Sequence, residues 1–164
     1  MKYISTYLSP CGTILLSAEG KFLTGLWFEE QKLSYEYDLY CSKNLPIFEQ
    51  TKKWLDMYFA GENPNFYPKI KLSGTKFQTE VWNLLREIEY GSVITYNEIA
   101  KQIAKRRKIE KMSAQAIGQA VGKNKILIII PCHRVIGSDG KLTGYAGGID
   151  KKIKLLELEK GLKI

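Results

Sequence analysis

Side chains able to carry out covalent and proton-transfer chemistry meet in one stretch, Ile130-Pro131-Cys132-His133-Arg134-Val135-Ile136-Gly137, where the chain's single histidine follows a cysteine. The thiolate is the reactive form of cysteine, and at neutral pH a base or a nearby cation has to generate it. Sequence neighbours project in different directions from a helix or strand, so a direct Cys132–His133 hydrogen bond is disfavoured and a bridging water suits the pair better. An imidazole acting as base also needs a carboxylate to hold its tautomer. Glu157 and Glu159 both qualify on sequence grounds. An isolated Cys-His pair is more often structural than catalytic, so the surrounding residues have to decide.

Those surroundings must present the thiol. Ile126 to Ile130 is a β-branched and apolar run that reads as a buried extended segment. Pro131 cannot donate a ladder hydrogen bond and disfavours helix in the residue before it, so Cys132 falls where regular structure stops. Upstream, Thr13 to Ala18 and Phe22 to Phe28 flank the turn Glu19-Gly20-Lys21 and predict a β-hairpin. Ile47, Trp54, Leu55 and Tyr58 lie at helical spacing, and Gly61 to Asn65 supplies turn chemistry. A second apolar stripe, Phe77, Val81, Trp82, Leu84, Leu85 and Ile88, runs to Gly91. Thr95-Tyr96-Asn97-Glu98 has the form of a capping box, opening a short helix through Ile99 and Ile103. Ser113 is placed to cap the next helix, with Ala116, Ile117, Ala120 and Val121. The last helix starts near Asp150, turns Ile153, Leu156 and Leu158 to the core, and ends at Gly161.

These elements predict an α/β (α+β) chain. A small N-terminal mixed α/β subdomain covers residues 1–73, and a mostly helical domain with a helix-turn-helix, winged-helix-like motif covers 74–164. In that motif Ser113 to Val121 is the recognition helix, and its small residues permit close approach to a groove. The formal net charge of +8 favours an acidic partner such as nucleic acid. The stretch Lys105, Arg106, Arg107, Lys108 and Lys111 beside the recognition helix is the expected phosphate contact. The remaining cysteines, Cys11 and Cys41, stand in no motif. With one histidine and no C-x-x-C pair, neither a zinc site nor a disulfide framework is expected, which suits a reducing cytoplasm. Met1 to Ser5 has no apolar signal core, and the five-residue run at Ile126 is too short to cross a bilayer, so no membrane association is expected.

Asn124, then Pro131-Cys132-His133-Arg134-Val135, then Gly144-Tyr145-Ala146-Gly147-Gly148 resembles the O6-alkylguanine–DNA alkyltransferases, the methylated-DNA–protein-cysteine methyltransferases. Gly74 to Trp82 resembles the helix that begins the family's catalytic domain. Thr95-Tyr96 with Glu98-Ile99-Ala100 resembles its first DNA-binding helix, and Lys152 with Leu155 to Glu159 its final helix. The resemblance is close over Gly74 to Glu159 and looser before it.

What the resemblance implies is a suicidal transfer of an alkyl group from O6-alkylguanine in duplex DNA to Cys132, with O4-alkylthymine left open as a second substrate. His133 would be the base acting through water, Glu159 would orient it, and Asn124 would brace the turn. Tyr96 would crowd the phosphate and help turn the nucleotide out, and base flipping of this kind exposes an atom otherwise hidden in the stack. Backbone groups of Cys132, Val135 and Ala146 would read the guanine edge. Tyr145 would wall the pocket, with Lys152 polarising it. Ala116, Gly118 and Arg134 would complete the DNA-contacting set. Many members of the family carry an arginine in the recognition helix where Gln115 stands here, a neutral and shorter side chain that can still hydrogen-bond an orphaned base. No cofactor is implied, because the protein is itself the acceptor, and a monomer is expected. Three rival readings are a non-catalytic lesion sensor, a papain-like hydrolase and a transcription regulator. The first lacks the acceptor cysteine, the second turns over, and the third leaves the Cys-His-Glu set unexplained.

Overall fold

The computed structural model describes residues 2–31, 41–162 and 164. Strands β1 (Lys2–Ser9), β2 (Gly12–Glu19) and β3 (Phe22–Phe28) form an antiparallel meander, and the short β4 (Cys41–Ser42) pairs parallel to β1, giving the order β3-β2-β1-β4. The expected hairpin is β2–β3. Its turn needs a left-handed residue, which Gly20 supplies at φ +60°. Ile14 to Ala18 are all buried, the pattern of a strand covered on both faces. Helix α1 (Pro46–Phe59) packs on the sheet through Phe48, Thr51, Leu55 and Tyr58, with Pro46 in its first turn, where a missing N–H costs nothing.

The outer edge of β3 is not left open. Leu23 exchanges backbone hydrogen bonds with Lys69 and Lys71, and Leu26 does the same with Lys125 and Leu127. Pairing consumes an edge that would otherwise invite aggregation. It also fixes the N-terminal sheet to the segment leading to Cys132.

Helix α2 (Lys76–Leu85) opens on a complete capping box between Thr75 and Gln78. Helix α3 (Tyr96–Arg107) is capped by Thr95. Only half of the expected box forms there, because the Glu98 carboxylate accepts from the Thr95 hydroxyl rather than from backbone. Helix α4 (Ala114–Gly122) is capped by Ser113, and Trp82 on α2 donates to the Ala120 carbonyl at 2.8 Å. The α3–α4 pair is the helix-turn-helix. Two-residue strands β5 (Ile94–Thr95) and β6 (Val135–Ile136) pair parallel and bind the start of α3 to the residues after Cys132. Helix α5 (Ile149–Glu159) closes the fold. One apolar core runs through both halves, from Ile14 and Phe28 to Val81, Ile117 and Leu158.

Two expectations need correction. Ile126 to Ile130 is buried but turned rather than extended. Asn124 closes the loop at both ends, accepting from Ile126 N at 3.0 Å and donating to Ile130 O at 2.9 Å, and Ile128 adopts φ +68°. That conformation is a strained one for a β-branched residue. Ile153 faces solvent, while Lys151 and Lys152 turn inward beside Leu155 and Leu156. Apolar spacing misreads α5 because two of its inward positions carry lysines, Lys151 paired with Glu30 and Lys152 donating to backbone carbonyls.

Candidate active site

Cys132, His133 and Arg134 form a single 3-10 turn between the Asn124–Ile130 loop and β6, and all three are buried. The Cys132 N–H is spent on the Ile130 carbonyl at 2.8 Å. Burial pushes the Cys132 thiol up to about 11, with Asn124 and Lys152 pulling in the opposite direction. The resting group is therefore a thiol and not a thiolate.

His133 is fully buried, and its Nε2 lies 2.5 Å from Glu159 Oε2. Burial lowers its pKa below the ordinary imidazole value, and the charges of Arg134 and Lys152 add to this, against the raising pull of Glu159. A neutral ring that donates from Nε2 to the carboxylate leaves a lone pair on Nδ1, and Nδ1 has no hydrogen-bond partner among the described residues. Of the two carboxylates considered for this role, Glu159 makes the contact. Glu157 is half-buried one position before the buried Leu158.

Glu159 is held by more than histidine. Oε1 accepts from Arg134 Nε at 2.8 Å and from the Gly91 N–H at 3.0 Å. Oε2 accepts from Tyr58 Oη at 2.6 Å and from Arg134 Nη2 at 3.2 Å, besides His133. Burial alone would raise this carboxyl, but the hydrogen bonds from His133 and Arg134 and the charge of Arg134 hold it well below the usual carboxylate range. It is an anion inside the protein, and such a charge persists only when paired and hydrogen-bonded.

A second cluster holds the wall beside the thiol. Lys152 Nζ, fully buried, donates to the carbonyls of Val135 at 2.6 Å, Thr143 at 2.8 Å and Gly144 at 3.3 Å. Tyr145 follows, with its ring edge-on to His133 at 6.4 Å and its hydroxyl buried. A Cβ on Gly147 would lie 2.7 Å from the Phe28 ring and 2.8 Å from Tyr145, so only glycine lets this loop close on both rings.

On the outside, an open cleft of about 540 Å³ lies between α3 and α4, lined by Tyr96, Gln115, Gly118, Gln119, Ser138 and Thr143. Tyr96 Oη sits 3.4 Å from the Thr143 hydroxyl, which joins the helix pair to the strand-and-loop region carrying Tyr145.

Residues 2–72 match the 6-O-methylguanine DNA methyltransferase, ribonuclease-like domain, and residues 76–161 match the 6-O-methylguanine DNA methyltransferase, DNA binding domain. The chain belongs to the 6-O-methylguanine DNA methyltransferase family. It is 43% identical over 157 residues to a methylated-DNA–protein-cysteine methyltransferase of Methanosarcina acetivorans, covering 96% of this chain and 97% of the relative. The crystal structure of the Mycobacterium tuberculosis O6-methylguanine methyltransferase superposes with a TM-score of 0.88 at 42% identity, over 100% of this chain and 96% of that one. A structure of the M. tuberculosis protein in complex with DNA superposes with a TM-score of 0.85 at 44% identity, over 97% and 93% of the two chains.

Within this member of the methyltransferase family, the residues singled out from sequence fall into three places. Cys132, His133, Glu159 and Asn124 converge on the buried turn and its support. Tyr96, Gln115 and Gly118 line the cleft, with Ala116 half-buried on the same helix. Val135, Tyr145 and Ala146 lie along the wall that Lys152 holds together, with Ala146 exposed. Two roles change. Arg134 is buried on Glu159 and the Ile88 carbonyl (2.7 Å), so its guanidinium is spent inside the protein on bracing the carboxylate. Lys152 spends its ammonium on three carbonyls rather than on Tyr145. In the basic stretch, Arg106 and Arg107 pair with Glu87 and Glu80, which leaves Lys105, Lys108 and Lys111 as its exposed lysines. Tyr58 is the member of the site that sequence reasoning missed, since helical spacing assigned it only to the core.

Proposed function

We propose that this chain repairs O6-alkylguanine in duplex DNA by one irreversible transfer of the alkyl carbon to Sγ of Cys132. The observation that carries the reading is the buried turn that joins Cys132 to a neutral His133 whose far nitrogen is fixed by an anionic Glu159. Nδ1 of His133 takes the thiol proton through a water, and Sγ displaces the alkyl carbon in line. The C–O bond breaks, its electron pair goes to guanine, and a proton returns to the base, so the net change is a thioether and an unmodified guanine.

A thiol raised to about 11 suits a single-use protein, because it stays protonated until the lesion is seated. Helix α4 lies in a groove of the duplex with Tyr96 and Gln115 at the displaced nucleotide, and Lys105, Lys108 and Lys111 answer the phosphates. No cofactor takes part. The relay lies wholly within one chain, which supports action as a monomer. Cys11 and Cys132 are buried free thiols, which suits the cytoplasm. No helix among the described residues is long and apolar enough to cross a membrane.

The test is intact-protein mass spectrometry after incubation with an O6-methylguanine oligonucleotide. The expected result is one added methyl per chain, mapped to Cys132, with no further turnover. Cys132→Ser should lose the mass shift and keep DNA binding. Continued release of product, or methyl on Cys11 or Cys41, overturns the reading.

A further inference from the structure

Tyr58 stands on α1, in the N-terminal half, and 101 residues separate it from Glu159, with which it shares a hydrogen bond. It has no exposed surface, and its ring is fixed from several sides. Trp54 stacks on it at 5.4 Å and 8°, and Tyr90 and Phe59 meet it edge-on at 6.1 and 5.3 Å. The hydroxyl can therefore point in one direction only, into Glu159 Oε2 at 2.6 Å. That is the same oxygen that holds His133 Nε2, and the phenol lies 3.4 Å from Nε2 itself.

We infer that Tyr58 is a positioning residue for the thiol-transfer relay, supplied by the N-terminal half, which sets the basicity of His133 by sharing the carboxylate oxygen that His133 uses. The inference rests on the alkyltransferase reading. Burial and the neighbouring Glu159 charge keep the phenol protonated, so it is a donor at every working pH. Two donors on one oxygen divide its electron density. With the phenol in place, the carboxylate pulls less strongly on the imidazole N–H, and the ring stays neutral to lower pH. Without it, Oε2 belongs to His133 and Arg134 alone, and the imidazole becomes more basic.

Several charged or titratable groups face His133 or the carboxylate that holds it. They are Glu159 and Lys152 from α5, Arg134 and Cys132 from its own turn, Tyr145 from the wall, and Tyr58 and Tyr90 behind the carboxylate. Of these, only Tyr58 and Arg134 share an oxygen with the His133 ring nitrogen. Arg134 is a permanent cation whose removal leaves a buried charge unbalanced. Tyr58 can be changed by one oxygen atom while its ring, and hence the packing, is retained.

The experiment is the single-turnover rate of methyl transfer to Cys132 from an O6-methylguanine oligonucleotide, measured across pH in the full chain. The acid limb of that profile reports loss of the neutral His133 base. Tyr58→Phe should move the limb's midpoint upward by about one unit, the shift expected for loss of one hydrogen bond to a charged group. Its rate at the pH of the wild-type midpoint should fall about fivefold, with DNA affinity unchanged. Tyr90→Phe removes another buried tyrosyl hydroxyl, one without a hydrogen-bond partner among the described residues, and should leave the midpoint where it is. If Tyr58→Phe does not fold, 3,5-difluorotyrosine at position 58 keeps the ring, makes the phenol a stronger donor, and should move the midpoint down. An unmoved midpoint in the Tyr58 variant, or an equal shift in Tyr90→Phe, overturns the inference. Absence of transfer in the wild-type chain overturns instead the alkyltransferase reading beneath it.

Discussion

Glu159 accepts five hydrogen bonds from His133, Tyr58, Gly91 and Arg134, whereas Gln115, in the cleft between α3 and α4, has no hydrogen-bond partner among the described residues. The two residues belong to one proposed reaction and follow opposite rules. The Glu159 carboxylate is matched inside the protein, so it needs little reorganisation when a lesion arrives. In the cleft, polar groups are exposed and wait for a partner. The difference separates what the protein does from what it recognises. A change near Glu159 should damage fold and chemistry together, and a change in the cleft should damage only events that involve the duplex.

Glu159→Gln is the harshest way to break that contrast. It removes a buried negative charge and leaves Arg134 inside the protein without its counter-ion, which costs about 3–5 kcal/mol. By the usual relation for a domain of this size, the melting temperature should fall by about 10 °C. Transfer should slow by roughly a hundredfold, the low end for loss of general-base assistance. The pH dependence has a definite sign. Glu159 is depressed when folded, so its stabilisation is complete above its unfolded value of about 4.3 and is lost as pH falls below it. Burial also depresses His133, so the unfolded chain takes up that proton first and stability begins to decline below about pH 6.5. Thermal melts of the wild type across acid pH should show both declines, and in Glu159→Gln the lower one should flatten. Equal acid sensitivity in the two proteins would mean that Glu159 is not the buried anion described here.

Two glycines sharpen the comparison at smaller amplitude. A methyl on Gly147 meets the Phe28 and Tyr145 rings below 3 Å. Gly147→Ala should cost about 1–3 kcal/mol by overpacking. Because it shifts the Tyr145 wall, it should slow transfer from duplex DNA and from free O6-methylguanine alike. On α4, a methyl on Gly118 finds Tyr96 at 3.7 Å, an ordinary contact. Gly118→Ala should stabilise the helix by about 0.5–1 kcal/mol and leave transfer from the free base untouched. Denaturant titration and single-turnover rates separate the two. A Gly147→Ala protein as active and stable as wild type would show that the wall is free to move.

The sequence carries the chemistry more clearly than the packing that supports it. Cys132 and His133 are adjacent, and α2, α3 and α4 each follow a capping residue that precedes an apolar stripe. What stayed hidden depends on partners far along the chain. Strand β1 shows only a half-buried alternation, and its role comes from pairing β2 on one side and β4 on the other. The turn at Ile128 is imposed by Asn124 bonding both ends of the loop, while local propensity favours a strand. Arg134 reads as a DNA contact and Lys152 as a partner of Tyr145 until Glu159 and three carbonyls are seen to receive them. Tyr58 reads as core because its ring is core, and only its last atom belongs to the site.

Gln115 tests the other side of the comparison, where effects should be smallest and most selective. Flipping a nucleotide leaves a gap in the stack and an unpaired partner base, at a cost of a few kcal/mol. Gln115 is exposed on the first turn of α4, beside the cleft that Tyr96 and Thr143 also line. Its amide can give or take one hydrogen bond with the orphaned base, a contribution of about 1 kcal/mol, or roughly fivefold in rate. Gln115→Ala should therefore slow transfer from duplex DNA by about that factor and leave transfer from free O6-methylguanine unchanged, since a free base needs no flipping. Gln115→Arg adds a longer stem, more donors and a charge that phosphate attracts, so it should raise the duplex rate and again spare the free base. Paired single-turnover measurements on the two substrates read the effect directly. If Gln115→Ala slows both equally, the amide acts on the fold and not on the gap. If neither substrate responds, another side chain of the cleft fills the stack, and Gln119, one turn further along the same helix, is the next residue to change.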